Sequence, residues 1–187
     1  MFKISRTLGL FVLATSFSMA QNDNTSVQEI VAAKYAEGKS DEAKAFLDQM
    51  EKDYVLAALY MKGVLYINGC YNNGIRNPRE ASIYFAKAAA LNYPPALAAL
   101  ADSFLDGDGT QKDEKEAFRL YKQAADLGNG AGQFNVAILY RDGTGTKKSI
   151  LKALHYLDLA SENESLGALR EDARKLHDAI LPEWKPK

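Results

Sequence analysis

Two glycine-rich loops of this sequence have spacings that occur in ion-binding sites. The first, Asp106-Gly-Asp108-Gly-Thr110, begins like a calcium-binding loop. A calcium loop of that kind needs glycine at its sixth position and glutamate at its twelfth, where this chain has Gln111 and Ala117. The second, Gly143 to Ser149, lacks the glycine that precedes Lys-Ser in a phosphate-binding loop. We therefore predict that neither loop is an ion-binding site.

Side chains that act as nucleophiles, general bases or metal ligands are few and scattered. His155 and His177 are the only histidines, and no set of Cys, His and Asp residues has the spacing of a metal site. We also expect no Ser-x-x-Lys motif of a β-lactam enzyme, since Ser82 and Ser103 lack a lysine three residues later. These patterns predict no catalytic residue, no metal and no cofactor.

Cys70 is the sole cysteine of the chain and falls in a predicted loop. One interpretation is a sheltered free thiol. The other is an exposed thiol that forms mixed disulfides or a disulfide-linked dimer. The sequence leaves both open.

The composition is that of a helical protein without a nucleic-acid footprint. Lysine and arginine number 23 against 24 acidic residues, a formal net charge of −1, so no strongly basic surface is expected. Alanine-rich stretches favour helix over strand. Residues 1–20 have a short basic start, an apolar stretch too short to span a bilayer, and Ser18-Met-Ala20 before Gln21, a pattern typical of a secretory signal peptide. We predict an exported protein, periplasmic or secreted, with no membrane span in the mature chain.

The elements that position these residues are internal repeats. Residues 96–125 and 132–161 align without a gap at an offset of 36, which pairs Asp106-Gly107 with Asp142-Gly143. A third copy lies upstream, where Asn68-Gly69 aligns with Asp106-Gly107 at an offset of 38. A fixed period in the mid-thirties indicates a solenoid of helical hairpins. We call the first helix of each repeat helix A and the second helix B.

The repeated residues resemble those of the Sel1-like repeat family, a relative of tetratricopeptide repeats. The resemblance is carried by Ala-x-x-x-Leu-Ala-x-x-Phe at 96–104, Asp-Gly-x-Gly at 106–109, Ala-x-x-x-Tyr-x-x-Ala-Ala at 117–125, and their copies at 132–161. It covers about residues 55–163, and the first copy departs from it with Lys62 at a usual leucine position. It implies an all-α protein, a right-handed α/α solenoid with N- and C-terminal capping helices.

The chain divides accordingly into four regions. Residues 1–20 are the signal peptide, and residues 21–54 are a flexible leader with an N-terminal capping hairpin. Residues 55–163 hold the three repeats, at 55–93, 94–129 and 130–163, and residues 164–187 form a C-terminal capping helix and tail. Asn77-Pro78 and Asp113 predict helix starts. Asn92 and Gly128 predict left-handed residues at helix ends.

A candidate partner-binding surface follows from the side of helix A that the core does not use. The small residues and Tyr140 mark the buried side of the third helix A, which leaves Phe134 and Ile138 on the opposite side. In the family, this helix lines the concave surface. In register across the repeats, the surface comprises an apolar groove with a polar rim, formed by Tyr60, Met61, Val64, Asp102, Phe134, Asn135, Ile138 and Arg141.

The leading functional hypothesis is a non-catalytic, exported scaffold or adaptor that binds a partner protein or peptide on this concave face. Aromatic side chains in a groove suit a peptide or a partner's helix, and the resemblance implies the same class of function. One alternative is an immunity or inhibitor protein that neutralises an exported toxin or enzyme. A further alternative, which the family resemblance also raises, is binding or hydrolysis of β-lactams. Neither the partner nor the oligomeric state follows from the sequence.

Overall fold

The computed structural model describes residues 24–52, 56–70 and 75–184, with side chains for residues 29–50, 56–70 and 75–184. The predicted signal peptide lies outside these residues. Nine α-helices occur within the described ranges, and no strand does. They are α1 Asn24–Ala36, α2 Ser40–Lys52, α3 Leu56–Ile67, α4 Pro78–Ala89, α5 Pro94–Asp106, α6 Glu114–Asp126, α7 Gly130–Asp142, α8 Ile150–Glu162 and α9 Leu169–Ile180. Short 3-10 turns lie at Glu164–Leu166 and Leu181–Glu183.

The helices stack in chain order, and each one packs against the next. The three pairs α3–α4, α5–α6 and α7–α8 are the A and B helices of successive repeats, and α5 also contacts α7 directly. The all-helical solenoid predicted from the repeat period is thereby confirmed.

The core is built from small residues at the helix crossings and larger ones between them. Ala101 and Ala137 on the A helices and Ala117 and Ala153 on the B helices are fully buried. A methyl group there lets two helix backbones approach closely. Tyr121, Leu97, Val136 and Leu157 fill the remaining space with side chains that are at most 1% exposed.

Side-chain caps start the B helices at the predicted Asn77 and Asp113, and at Ser149, which was not predicted. Asn77 accepts a hydrogen bond from the Glu80 backbone N–H, Asp113 accepts from the Glu116 N–H, and Ser149 accepts from the Lys152 N–H. These caps satisfy N–H groups that have no partner within the helix. At the ends of α4 and α6, Asn92 and Gly128 have φ of 58° and 82°, which confirms the left-handed prediction.

The loop between helix A and helix B is closed in the same way in each repeat. The backbone N–H of the cap residue donates to the carbonyl of the aromatic residue near the end of helix A. The N···O distances are 2.9 Å for Asn77–Tyr66, 2.8 Å for Asp113–Phe104 and 2.7 Å for Ser149–Tyr140. The two helices of each repeat are therefore joined by backbone geometry that does not depend on the loop side chains.

Each Asp-Gly-x-Gly loop also lies against the preceding repeat. Gly109 contacts the carbonyl of Pro78, the first residue of α4, and Gly145 contacts the carbonyl of Glu114, the first residue of α6. Both glycines have positive φ, 86° and 65°, and a Cβ on either would overlap the carbonyl that it faces. Glycine is required here for its backbone conformation and for its lack of a side chain.

The two ends of the described solenoid differ in how they are held. At the N-terminal end, α1 and α2 both contact α3, and buried Lys62 of α3 forms an ion pair of 2.5 Å with Asp48 of α2. Lys62 also lies 5.4 Å from the ring centre of Tyr84. At the C-terminal end, α9 packs on α8 through Ala173 and Ile180 and leaves its charged face exposed.

The contact between a loop and the preceding repeat predicts unequal costs for two glycine substitutions. Gly128→Ala should lower the free energy of unfolding by about 1–2 kcal/mol, because Gly128 has positive φ but nothing within 4 Å of an added Cβ. Gly145→Ala should cost about 1–3 kcal/mol more, because its Cβ also overlaps α6. Urea unfolding of both variants measures the difference, and equal midpoints would contradict the seating of the loop.

Candidate functional site

The predicted partner-binding residues lie on the A helices α3, α5 and α7, and most of them are not fully exposed. Asp102 is exposed, whereas Tyr60, Met61, Val64, Phe134, Asn135, Ile138 and Arg141 are each partly buried. We call this surface the helix A face. Its half-buried state fits side chains that contact both the core and a surface groove.

Tyr60 belongs to a cluster of aromatic side chains. Its ring centre lies 5.8 Å from that of Phe85 and 5.7 Å from that of Tyr93, the latter in an edge-to-face arrangement. Such aromatic pairs add stability beyond the area that they bury. Tyr60 therefore packs on the core and remains only partly exposed to solvent.

A pocket opens on the helix A face between α3 and α5. Its volume is about 240 Å³. We call it the α3–α5 pocket. Its lining comprises Tyr60, Val64, Ile67, Arg76, Phe85, Ala99, Asp102, Ser103, Asp106 and Asp108. The structure thus brings Tyr60, Val64 and Asp102 together around one pocket. Phe134, Asn135, Ile138 and Arg141 belong to α7 and do not line it.

Asp102 was predicted as part of a polar rim, and its main contact was not foreseen. The hydroxyl of Tyr121, a side chain that is 1% exposed, donates a short hydrogen bond to the Asp102 carboxylate. Tyr121 lies on α6, so this contact joins the two helices of the second repeat. Asp102 is therefore a structural acceptor as well as a surface charge.

The surroundings of Asp102 disfavour negative charge. Desolvation raises the pKa of the Asp102 carboxyl, the Tyr121 hydrogen bond opposes this rise, and nearby Asp106 adds to it. Its side chain is open to solvent on one side, but the neighbouring helices displace water on the others. Burial also raises the pKa of Tyr121 and of Tyr60, and in both cases the Asp102 charge raises it further.

Arg76 closes one side of the pocket. Its guanidinium donates to Asp108 at 2.8 Å and to the carbonyl of Ile67 at 3.1 Å, linking the loops of the first and second repeats. Asp108 belongs to the Asp-Gly-x-Gly loop that looked like a calcium site. Thr110 of the same loop donates to the Ser103 carbonyl at 2.8 Å. The polar groups of this loop are thus used in contacts within the protein.

The other end of the helix A face has a different charge arrangement. Arg141 of α7 donates two hydrogen bonds to the adjacent Asp142, at 2.6 and 2.8 Å. The contact lowers the pKa of Asp142. Asp142 is the register equivalent of Asp106, and Asp106 forms no ion pair with any residue in the described part of the chain.

Several pocket residues were missed by the sequence analysis. Phe85 lies on helix B, and its position there gives no sign that its ring reaches a pocket on the helix A face. Arg76 and Asp108 lie in loops, where periodicity carries no information about partners. The Tyr121–Asp102 contact joins two helices, and the only sequence signal for it is an unmatched aspartate on an otherwise apolar surface.

Two expectations about catalysis are resolved by hydrogen bonding. Ser82 and Ser103 are buried and donate to carbonyls of their own helices, at 2.9 and 3.2 Å. The statement that no Ser-x-x-Lys spacing occurs is wrong, since Ser149 and Lys152 have it. Ser149 is the cap of α8, and the Lys152 ammonium lies 5.0 Å from the ring centre of Tyr140. The spacing here is therefore that of a helix start.

The described residues contain no group of three or more Cys, His, Asp or Glu side chains arranged to hold a metal ion. Within the same residues, no helix combines the length and the apolarity of a bilayer span. A depression of about 770 Å³ lies between the start of α6 and the loop after α7. Lysines and acidic residues such as Lys112 and Glu114, themselves paired at 3.1 Å, form its edges, and it has no aromatic wall. The α3–α5 pocket is thus the better candidate site.

Comparison with protein families identifies the repeats. The model of the Sel1 repeat matches residues 54–93, 94–129 and 130–165. The chain is 39% identical over 64 residues to chitin synthase regulatory factor 2 of Schizosaccharomyces pombe, a match over 34% of this chain and 12% of that protein. It is 35% identical over 94 residues to an uncharacterised protein of Neisseria meningitidis, over 50% of this chain and 20% of that protein.

Solved structures share the fold. A protective antigen of uropathogenic Escherichia coli superimposes with a TM-score of 0.73 at 21% identity, over 91% of this chain and 36% of that one. A Sel1 repeat protein of Oxalobacter formigenes gives 0.70 at 25% identity, over 81% and 59%. Cysteine rich protein B of Helicobacter pylori gives 0.53 at 23% identity, over 70% and 93%. Among the sequence relatives described above, the match covers a fifth or less of the length of each of the two proteins.

The opposite pKa shifts of Asp102 and Asp142 predict opposite effects of pH. The pKa of Asp102 is raised in the folded state, so the wild type loses stability as pH rises from about 3.9, the ordinary aspartate value, through the raised pKa. Asp102→Asn removes this loss, and its stability relative to wild type should increase with pH. The pKa of Asp142 is lowered in the folded state. The stability of Asp142→Asn relative to wild type should therefore decrease as pH rises through the folded pKa to about 3.9.

Urea unfolding of the three proteins from about pH 3 to pH 7 measures these trends. The two variants remove the same charge from α5 and α7, so each is the control for the other. Trends of the same sign would show that the two carboxylates share one environment.

Proposed function

We propose that this chain, which belongs to the Sel1 repeat family, is a non-catalytic scaffold that holds a partner protein or peptide on its helix A face. Sel1 repeat proteins generally mediate protein–protein interactions and typically act as non-catalytic scaffolds. The match to a protein named as a regulatory factor agrees with a role in binding. The particular partner and the use of this particular face belong to the proposal.

The observation that carries the proposal is the α3–α5 pocket. Aromatic and aliphatic side chains from two repeats converge there, with part of the Tyr60 ring left open to solvent. Partly buried aromatics are the usual anchors of protein interfaces, because their large area is held in one conformation before binding. Phe134 and Ile138 extend the apolar surface along α7, so an extended segment could contact both repeats.

We further propose that the chain is exported. The support is the pattern of residues 1–20, which lie outside the described part of the structure. Export would place the helix A face in the periplasm or outside the cell, and partners would be sought there.

Substitutions on the helix A face should weaken partner binding without loss of helix. Tyr60→Ala combined with Phe134→Ala should reduce the binding free energy by about 2 kcal/mol or more, about thirtyfold in Kd, because both anchors are removed. Partners captured from envelope extract would be identified by mass spectrometry, and their affinities measured with purified proteins. Circular dichroism would give the thermal unfolding midpoint of each variant, and binding would be measured at a temperature well below the lowest midpoint.

The matched control is Leu91→Ala combined with Leu127→Ala. These two leucines occupy equivalent positions after α4 and α6, are 51% and 49% exposed, and lie away from the helix A face. The control should bind as the wild type does. If it loses affinity while the Tyr60 and Phe134 variant retains it, the binding surface is elsewhere on the solenoid.

The export proposal has its own measurement. The protein expressed with its native N-terminus in a bacterial host should be recovered outside the cytoplasm and should begin at Gln21, after cleavage behind Ala20. Edman sequencing of the purified protein identifies this residue. Soluble cytoplasmic protein that retains Met1 would exclude cleavage at this site.

A further inference from the structure

The α3–α5 pocket has an apolar wall and an acidic wall. The apolar wall consists of the Tyr60 and Phe85 rings with Val64, Ile67 and Ala99. The acidic wall consists of three aspartates from α5 and the loop after it: Asp102, Asp106 and Asp108. Asp102 and Asp106 are four residues apart on one helix, so both carboxylates project from the same side of α5.

Only one of these three carboxylates is neutralised. Arg76 is the one cationic residue among the described residues of the lining, and its guanidinium is paired with Asp108 at 2.8 Å. Among the residues that the structure describes, no Lys or Arg side chain forms an ion pair with Asp102 or Asp106. The Tyr121 hydroxyl donates a hydrogen bond to Asp102, but it carries no positive charge that would neutralise the carboxylate. The pocket therefore keeps an uncompensated negative potential beside apolar walls.

The environment of the pocket makes this potential strong. Burial and the neighbouring Asp106 raise the pKa of Asp102, and the Asp102 charge raises the pKa of the Tyr60 hydroxyl on the apolar wall. The interaction of a charge with an ion is larger where neighbouring protein displaces water than it is in bulk water. A cation beside Asp102 would therefore meet a larger attraction than beside an aspartate that no neighbouring helix shields from water.

The acidic wall is confined to this junction between repeats. At the equivalent positions of the third repeat, Ile138 replaces Asp102 and Thr144 replaces Asp108. Asp142, the equivalent of Asp106, is paired with Arg141. The charge is therefore a local property of the pocket and does not come from the repeat framework, which is the same in both places.

We propose that the α3–α5 pocket binds a lysine or arginine side chain of a partner protein, with its aliphatic stem on the apolar wall and its charged end between Asp102 and Asp106. This inference rests on the proposed function, in which the helix A face binds protein. A volume of about 240 Å³ admits one long side chain but not a helix. A bare metal ion fits less well, since the described aspartates do not converge as a metal-binding group.

The first experiment identifies peptides that the full chain binds. A phage library of random dodecapeptides is panned on the immobilised full chain, and in parallel on the Asp102→Asn variant. Asparagine keeps an oxygen for the Tyr121 hydroxyl and removes only the charge. We expect the wild type to enrich peptides with lysine or arginine flanked by apolar residues, and the variant to enrich such peptides less.

Isothermal titration calorimetry then tests the cation itself. One selected synthetic peptide is compared with a version in which norleucine replaces lysine, or citrulline replaces arginine, so that the stem remains and the charge is lost. Loss of the charge should weaken binding about tenfold, and Asp102→Asn or Asp106→Asn should each weaken the cationic peptide by a similar factor. The neutral peptide should bind wild type and variants alike.

Asp126→Asn is the matched control. It removes the same charge from an exposed site at the end of α6, and it should leave the affinity unchanged. Circular dichroism and urea unfolding confirm that each variant is folded.

The outcomes separate the two proposals. If no peptide is enriched, the inference and the proposed function both fail. If peptides bind and Tyr60→Ala with Phe134→Ala removes binding, but loss of the cation or of Asp102 has no effect, the inference is overturned and the proposed function stands. If Asp126→Asn weakens binding as much as Asp102→Asn does, the effect is one of net charge, and the assignment to the pocket is wrong.

Discussion

The contact between each glycine loop and the first turn of the preceding helix B determines how the repeats stack. Gly109 lies against Pro78, and Gly145 lies against Glu114, one repeat further on. Both contacts need a positive φ and the absence of a Cβ, so they tolerate little variation in spacing. Because the same loop joins helix A to helix B, the contact also fixes the direction in which helix A presents its outer side. The helix A face is a consequence of this constraint.

A framework held by backbone contacts leaves side chains free to differ at equivalent positions. The loops of the second and third repeats have the same closing hydrogen bonds, yet one carries Asp108 and the other Thr144. Likewise, Asp102 on α5 corresponds to Ile138 on α7. The repeats therefore resemble one another in architecture and differ in surface chemistry, which is the property a binding solenoid requires.

The architecture could be predicted because its elements repeat along the chain. The α3–α5 pocket could not be predicted, because its combination of residues occurs once. Small residues in register, cap residues and left-handed positions such as Asn92 each follow a local rule, and the structure confirms them. Lys62 could be recognised as a departure from the leucine pattern, but its ion pair with Asp48 depends on how α2 meets α3. The bond from Tyr121 to Asp102 depends similarly on where two helices cross, which a single helical wheel cannot show.

At Asp102, stability and the proposed binding make opposite demands. Its raised pKa means that the charged form is less favourable in the native protein than in the unfolded chain, so the charge lowers stability at neutral pH. Isoleucine or valine at the same register position, as in the other two repeats, has no such cost. A charge that reduces stability and has no cationic partner among the described residues is what a site prepared for an external cation would contain. The same carboxylate would gain its counter-charge only in the complex.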